Sequence, residues 1–121
     1  METWMYMVIF EVQPRPGREN DYLALARQLR RELEKIDGFI SIERFASLSN
    51  EGKILSLSFW RDEAAVKRWR EHPGHREAQR RGREEIFADY RIRVAAVVRD
   101  YSLRERAQSP HGRTDVGHGS E

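Results

Sequence analysis

Apolar positions along this chain change their spacing several times, and each change marks the border of an element. From Trp4 to Val12 the residues alternate, with Trp4, Tyr6, Val8, Phe10 and Val12 on one side and Met5, Met7 and Ile9 on the other. Such alternation predicts a β-strand, and apolar residues in both rows predict burial of both faces, by helices on one side and a second sheet on the other. Pro14, Pro16 and Gly17 end the strand. Tyr22, Leu25, Ala26, Leu29, Leu33 and Ile36 then recur at helical spacing within a charged segment, which predicts a long amphipathic helix. Asp37-Gly38 stops it, because glycine accepts the left-handed backbone of a helix C-terminus. Phe39 to Ala46 returns to β-branched and aromatic content, Asn50-Glu51-Gly52 supplies a turn, and Lys53 to Trp60 alternates again, so a hairpin is expected.

Asp62 to Arg70 has the spacing of a short helix. Pro73 sits where proline is best tolerated, in the first turn of a further helix, with His72 as its N-cap. Along that helix His75, Ala78, Gln79, Gly82 and Ile86 form one stripe, which must face protein or ligand. A final strand is expected from Arg91 to Tyr101, where Ile92, Val94, Ala96 and Val98 alternate with Arg93, Ala95, Val97 and Arg99. The order is βαββααβ, an α+β class chain with a ferredoxin-like arrangement and an antiparallel sheet. From Arg104 onward the chain is polar and without periodicity, so a domain over 1–103 and a flexible tail over 104–121 are expected.

A length of 121 residues allows one domain with a modest core, and a face that so small a domain leaves uncovered calls for a partner subunit. A homo-oligomer is expected. The chain has no cysteine, which removes disulfides, thiolate nucleophiles and cysteine-ligated metals together. No long apolar run is present to span a membrane, so the expected location is cytoplasmic. The net charge is +2, and charges of both signs alternate along the helices as on solvated faces, which speaks against a nucleic-acid partner.

His72 and His75 have the spacing of two ligands on one helix turn. Pro73 opposes this, because the residue before proline is driven out of helical geometry and the two rings diverge. No metal site is expected.

Several features occur in a fixed order: Phe59-Trp60 closing a strand, Asp62-Glu63-Ala64 opening a helix, Trp69, the run His72-Pro73-Gly74-His75, Ala78-Gln79, Gly82-Arg83, and Tyr90 before a valine-rich strand. In that order they resemble the antibiotic biosynthesis monooxygenase (ABM) family, over roughly Trp4 to Tyr101. The resemblance implies a small domain that pairs with a second copy as a dimeric α+β barrel, and in several members an oxygenase that needs neither metal nor flavin. Haem-degrading members use a histidine on the last helix, a tryptophan on the helix before and an asparagine on the first strand. Trp69 matches that tryptophan, whereas the other two positions fall on Gln79 and at or next to Phe10. Members that oxidise aromatic polyketides use a strand tryptophan, matched by Trp60, with an asparagine and a tyrosine at the positions held here by Ser56 and Val66.

In the strand that ends at Trp60, the row Leu55, Leu57 and Phe59 is expected to face the helices. The row Ser56, Ser58 and Trp60 is then expected inside the dimer barrel, where small serines beside an indole leave room for a flat ligand. The plainer alternative is that Trp60 fills the sheet core and the serines meet water. Oxygenation without a cofactor needs a base and a dry enclosure. The expected catalytic residues are His75 as general base, Gln79 and Ser56 as oxyanion donors and Trp60 as a stacking wall, with Trp69, Phe10 and Tyr6 binding the ligand. Against each stands an ordinary packing role. The leading expectation is a monooxygenase acting on an aromatic or electron-rich small molecule without a cofactor. The alternatives are a haem-binding or haem-degrading protein, a non-catalytic binder of small ligands, and a purely structural dimer.

Overall fold

The computed structural model describes residues 4–105. The tail expected over 104–121 therefore lies outside the described residues, except for Arg104 and Glu105. Strands β1 (Tyr6–Pro14), β2 (Phe39–Ala46), β3 (Ile54–Trp60) and β4 (Phe87–Ala96) form one antiparallel sheet in the order β2-β3-β1-β4. Helices α1 (Glu19–Glu34), α2 (Glu63–Glu71) and α3 (Pro73–Arg81) pack on one face of it, and a π-helical turn over Gly82–Ile86 joins α3 to β4. The order of elements is the βαββααβ arrangement expected.

Local chemistry explains most borders. Gly38 adopts φ +95 after α1, and its carbonyl accepts a hydrogen bond from the Arg61 amide at 2.7 Å. A Cβ there would come within 2.6 Å of the Ala65 Cβ, so the close approach of α2 to this turn also requires glycine. Asp62 caps α2 by accepting from the Ala65 amide at 2.9 Å. His72 ends that helix in extended geometry and caps the next, its Nδ1 accepting from the Gly74 amide at 3.0 Å with Pro73 in the first turn.

The π-helical turn departs from expectation. Its Gly82 lies against Phe87 so closely that a Cβ would run into the ring, and the wider turn delivers Phe87 directly into the core. As a result β4 begins at Phe87 rather than Arg91 and ends at Ala96 rather than Tyr101.

The core has two parts. One contains Val12, Tyr22, Leu25, Ala78, Ile86 and Phe87, and the other Leu33, Trp60, Ala65 and Val66. Both contain residues from the same face of the sheet, and this corrects the expected orientation of β3. Ser56, Ser58 and Trp60 are buried beneath the helices, whereas Leu55, Leu57 and Phe59 lie on the opposite face and are only half-buried. The Trp60 indole needs the cover that Leu33, Ala65 and Val66 provide, and the helices leave no comparable cover on the other side. Similarly, Tyr6, Val8 and Phe10 of β1 face the helices while Met7 and Ile9 share the uncovered face. Burial of both faces of β1 is thus met on one side only within the chain.

Candidate active site

The two core clusters do not meet. Between them lies a cavity of about 170 Å³, bounded by the sheet below and the three helices above. Strand register builds its floor from two rows that cross all four strands. One row is Arg44, Ser56, Phe10 and Ile92, and the next is Ile42, Ser58, Val8 and Val94. The space exists because β3 contributes serine to both rows at the middle of the sheet, where larger residues would fill the gap. The expected link between small residues on β3 and a cavity is correct, but the cavity lies on the helix side, within one chain.

Six of the seven residues expected at the site line this cavity: His75 and Gln79 from α3, Trp69 from α2, Trp60 and Ser56 from β3, and Phe10 from β1. Tyr6 does not. Its ring packs on the cluster around Trp60, and its hydroxyl lies 3.5 Å from Glu63 Oε1 at the start of α2. Tyr6 is one row beyond the floor, opposite Trp60, and the indole separates it from the cavity.

Trp60 is 1% exposed, stands edge-on to Phe39 at 5.3 Å and donates its indole N–H to Ser58 Oγ at 2.9 Å. It walls the cavity and carries the core at the same time, with its polar group already satisfied. Val66, in the position of the polyketide oxidisers' tyrosine, borders the same cavity and offers no hydroxyl.

His75 has a displaced pKa. Burial pushes it below the ordinary 6.5, a backbone hydrogen bond with Arg70 opposes the shift, and the charge of His72 adds to it. At neutral pH the imidazole is therefore neutral. Its ring lies 4.8 Å from the Trp69 ring, and its Nδ1 is buried without a hydrogen-bond partner. His72 also meets Trp69, at 5.3 Å, but its Nδ1 is occupied as the α3 cap and its Nε2 lies 3.8 Å from Glu32. The two histidines therefore share an indole and no ligand point. Among the described residues no group of three or more His, Asp or Glu side chains could hold a metal ion.

The position of the family's iron ligand carries the Gln79 amide, a weak donor to iron, and the nearby imidazole of His75 is packed on Trp69. The cavity is also close to the roughly 150 Å³ that holds a single benzene. A smaller ligand has more room, because the cavity adjoins an open cleft that shares Arg70, His75, Gln79 and Ile92 with it.

The lining residues not anticipated as site residues include Tyr22, read as part of the α1 apolar stripe, and the arginines Arg30, Arg44 and Arg70. Arg44 carried a signal, being a charge in the same strand row as Ile42. No helix among the described residues is long and apolar enough to cross a membrane.

Comparison with known proteins agrees with this architecture. The profile of a family described as antibiotic biosynthesis monooxygenase matches residues 5–81. The jasmonate monooxygenase ABM of Pyricularia oryzae is 50% identical over 94 residues, covering 78% of this chain and 44% of that protein. The uncharacterized protein YqjZ of Bacillus subtilis is 31% identical over 68 residues, covering 56% of this chain and 58% of that protein. The chain thus spans about half the length of these curated relatives. Among solved structures, Rv0793 of Mycobacterium tuberculosis superposes with a TM-score of 0.72 at 20% identity, covering 81% of this chain and 99% of that one. SO0527 of Shewanella oneidensis also reaches 0.72, at 11% identity, covering 79% and 93%. At such identities the two structures establish the fold. The profile match and the Pyricularia relative go further: the chain belongs to the antibiotic biosynthesis monooxygenase family.

Proposed function

We propose that the protein is a monooxygenase that oxidises a small, electron-rich organic molecule held between sheet and helices, without a tightly bound cofactor. The observation that carries this reading is one cavity lined together by a neutral, desolvated histidine, an amide, a hydroxyl and two indoles from three separate elements. His75 accepts a proton from an acidic C–H or O–H of the substrate, through an imidazole that burial keeps neutral. Gln79 and Ser56 stabilise the oxygen on which negative charge then gathers. The carbanion or phenolate passes one electron to dioxygen, the radical pair combines to a peroxide, and loss of water leaves a carbonyl. A methylene and dioxygen thereby become a carbonyl and water, with both electrons for the second oxygen atom drawn from the substrate. Aromatic walls keep bulk water from the radical pair.

The relative that is 50% identical is named for jasmonate, which makes jasmonate the first compound to try, followed by phenols and anthrones. Purified protein in an oxygen electrode should consume one dioxygen per product with at least one of these, without added metal, flavin or nicotinamide. Absence of uptake with all of them, together with a saturable haemin Soret shift that His75→Ala removes, would overturn this reading in favour of haem binding.

We also propose that two copies pair through the uncovered sheet face, where Met7, Ile9, Leu55, Leu57, Phe59 and Phe45 form a continuous apolar surface. Phe45 alone is 43% exposed in the single chain. Sedimentation should give twice the mass of one chain, and Leu57→Glu should shift it to one. A wild-type protein that sediments as a single chain would exclude the pairing.

A further inference from the structure

The charge around the cavity is one-sided. Its lining contains three arginines, Arg30, Arg44 and Arg70, and no aspartate or glutamate. Arg30 is neutralised by Glu34 at 2.7 Å. Arg44 makes no ion pair among the described residues, yet it is half-buried on the cavity floor in a row completed by Ser56, Phe10 and Ile92, none of them charged. A guanidinium withdrawn from water in this way is poorly compensated unless an anion meets it.

Its setting is prepared for such an anion. Arg44 Nε donates to the Tyr22 hydroxyl at 3.3 Å, and the guanidinium lies 5.9 Å from the centre of the same ring. This fixes the plane of the fork and leaves the two terminal nitrogens free for an end-on, two-point grip. Tyr22, 4% exposed, accepts that bond through its oxygen and keeps its own proton to donate. Ser56 stands directly across from Arg44 in the strand ladder, and its small side chain keeps the space beside the guanidinium open. The approach is cationic as well: the adjoining cleft is lined by Arg70, Arg76 and Arg83, none of which forms an ion pair with a carboxylate among the described residues.

The geometry points to a substrate that is a small carboxylic acid, bound as its anion with the carboxylate on Arg44 and Tyr22. Its apolar body lies along the floor row over Phe10, toward β4 and the α3 residues His75 and Gln79. Arg44 is then the residue that selects the acid and sets which end of the molecule reaches the histidine. This inference rests on the cavity being the oxygenase site, but it concerns recognition and is read by binding alone.

The test compares phenylacetate with its neutral analogue phenylacetamide by calorimetry, for the full chain, Arg44→Met and Arg27→Met, the last an exposed arginine of α1 outside the cavity and the cleft, each checked for an unchanged melting profile. The full chain should bind the acid about 10- to 100-fold more tightly than the amide. Arg44→Met should remove the preference while still binding the amide, and Arg27→Met should retain it. Equal affinity for both compounds, binding of neither, or a preference that survives in Arg44→Met overturns the assignment. Acid preference at Arg44 in a protein that consumes no oxygen would sink the oxygenase reading and leave this one standing.

Discussion

Replacing His75 by alanine is expected to lower kcat/KM for oxygen-consuming turnover by about 10²- to 10⁴-fold, the range over which a positioned general base acts. The fold should survive, because the imidazole is half-buried at the cavity and contributes contact with Trp69 rather than a place in either core cluster. The pH profile gives a second, independent readout. Burial holds the folded-state pKa of His75 below the ordinary 6.5, so the base stays neutral and active down to more acidic pH than a free imidazole would. The acid limb of the rate should therefore lie below pH 6.5. Stability follows the same sign: as pH falls through 6.5 the unfolded chain takes up the proton first, so the native state loses stability from there down to the lower folded value. In His75→Ala both the acid limb and that share of the stability slope should vanish. A variant that turns over at the wild-type rate would remove His75 from the mechanism.

Trp60→Ala is expected to produce the largest loss of stability, about 3–5 kcal/mol, which is a large part of what a domain of this size has. The indole is 1% exposed, is covered by Leu33, Ala65 and Val66, and meets Phe39 edge-on, so its removal leaves a void that α2 cannot close without leaving Gly38. The Ser58 hydroxyl loses its donor in the same step. At about 4–8 °C per kcal/mol, thermal unfolding should show the change plainly. Trp60→Phe retains most of the packing, strands only Ser58, and should cost about 1–3 kcal/mol. A melting temperature unchanged in Trp60→Ala would mean that this side chain is a ligand wall and not a core residue.

The order and number of elements were legible because they depend on local chemistry. The His72 cap, the stop at Gly38 and the Asp62 cap each involve residues a few positions apart, and period identifies what lies between them. The face of β3 was not legible. Alternation separates Ser56, Ser58 and Trp60 from Leu55, Leu57 and Phe59, but which row meets the helices is decided by Leu33 of α1 and by Ala65 and Val66 of α2. The larger aliphatic row looks like the core, yet it lies outward. The π-helical turn was hidden for a different reason: Gly82 and Ile86 fall on one stripe at helical spacing whether the turn is tight or wide. For the site, His75, Gln79 and Trp69 were legible from their order along two helices. Arg44 was not, since a single charge in a strand reads as solvated until its register against Ser56 is known.

The sheet divides the molecule into a side that holds the cavity and a side that presents an uncovered apolar face. The cavity is enclosed by residues of one chain, while the uncovered apolar face points the other way. Two copies joined through that face would each hold a complete set of reacting groups, and neither would lend a side chain to its neighbour. In a population of mixed pairs, one disabled subunit would silence only itself, so activity would fall in simple proportion to the fraction of disabled chains. A contact surface on that face would accordingly be free to drift, to tighten or to change partner without retuning the pocket behind it.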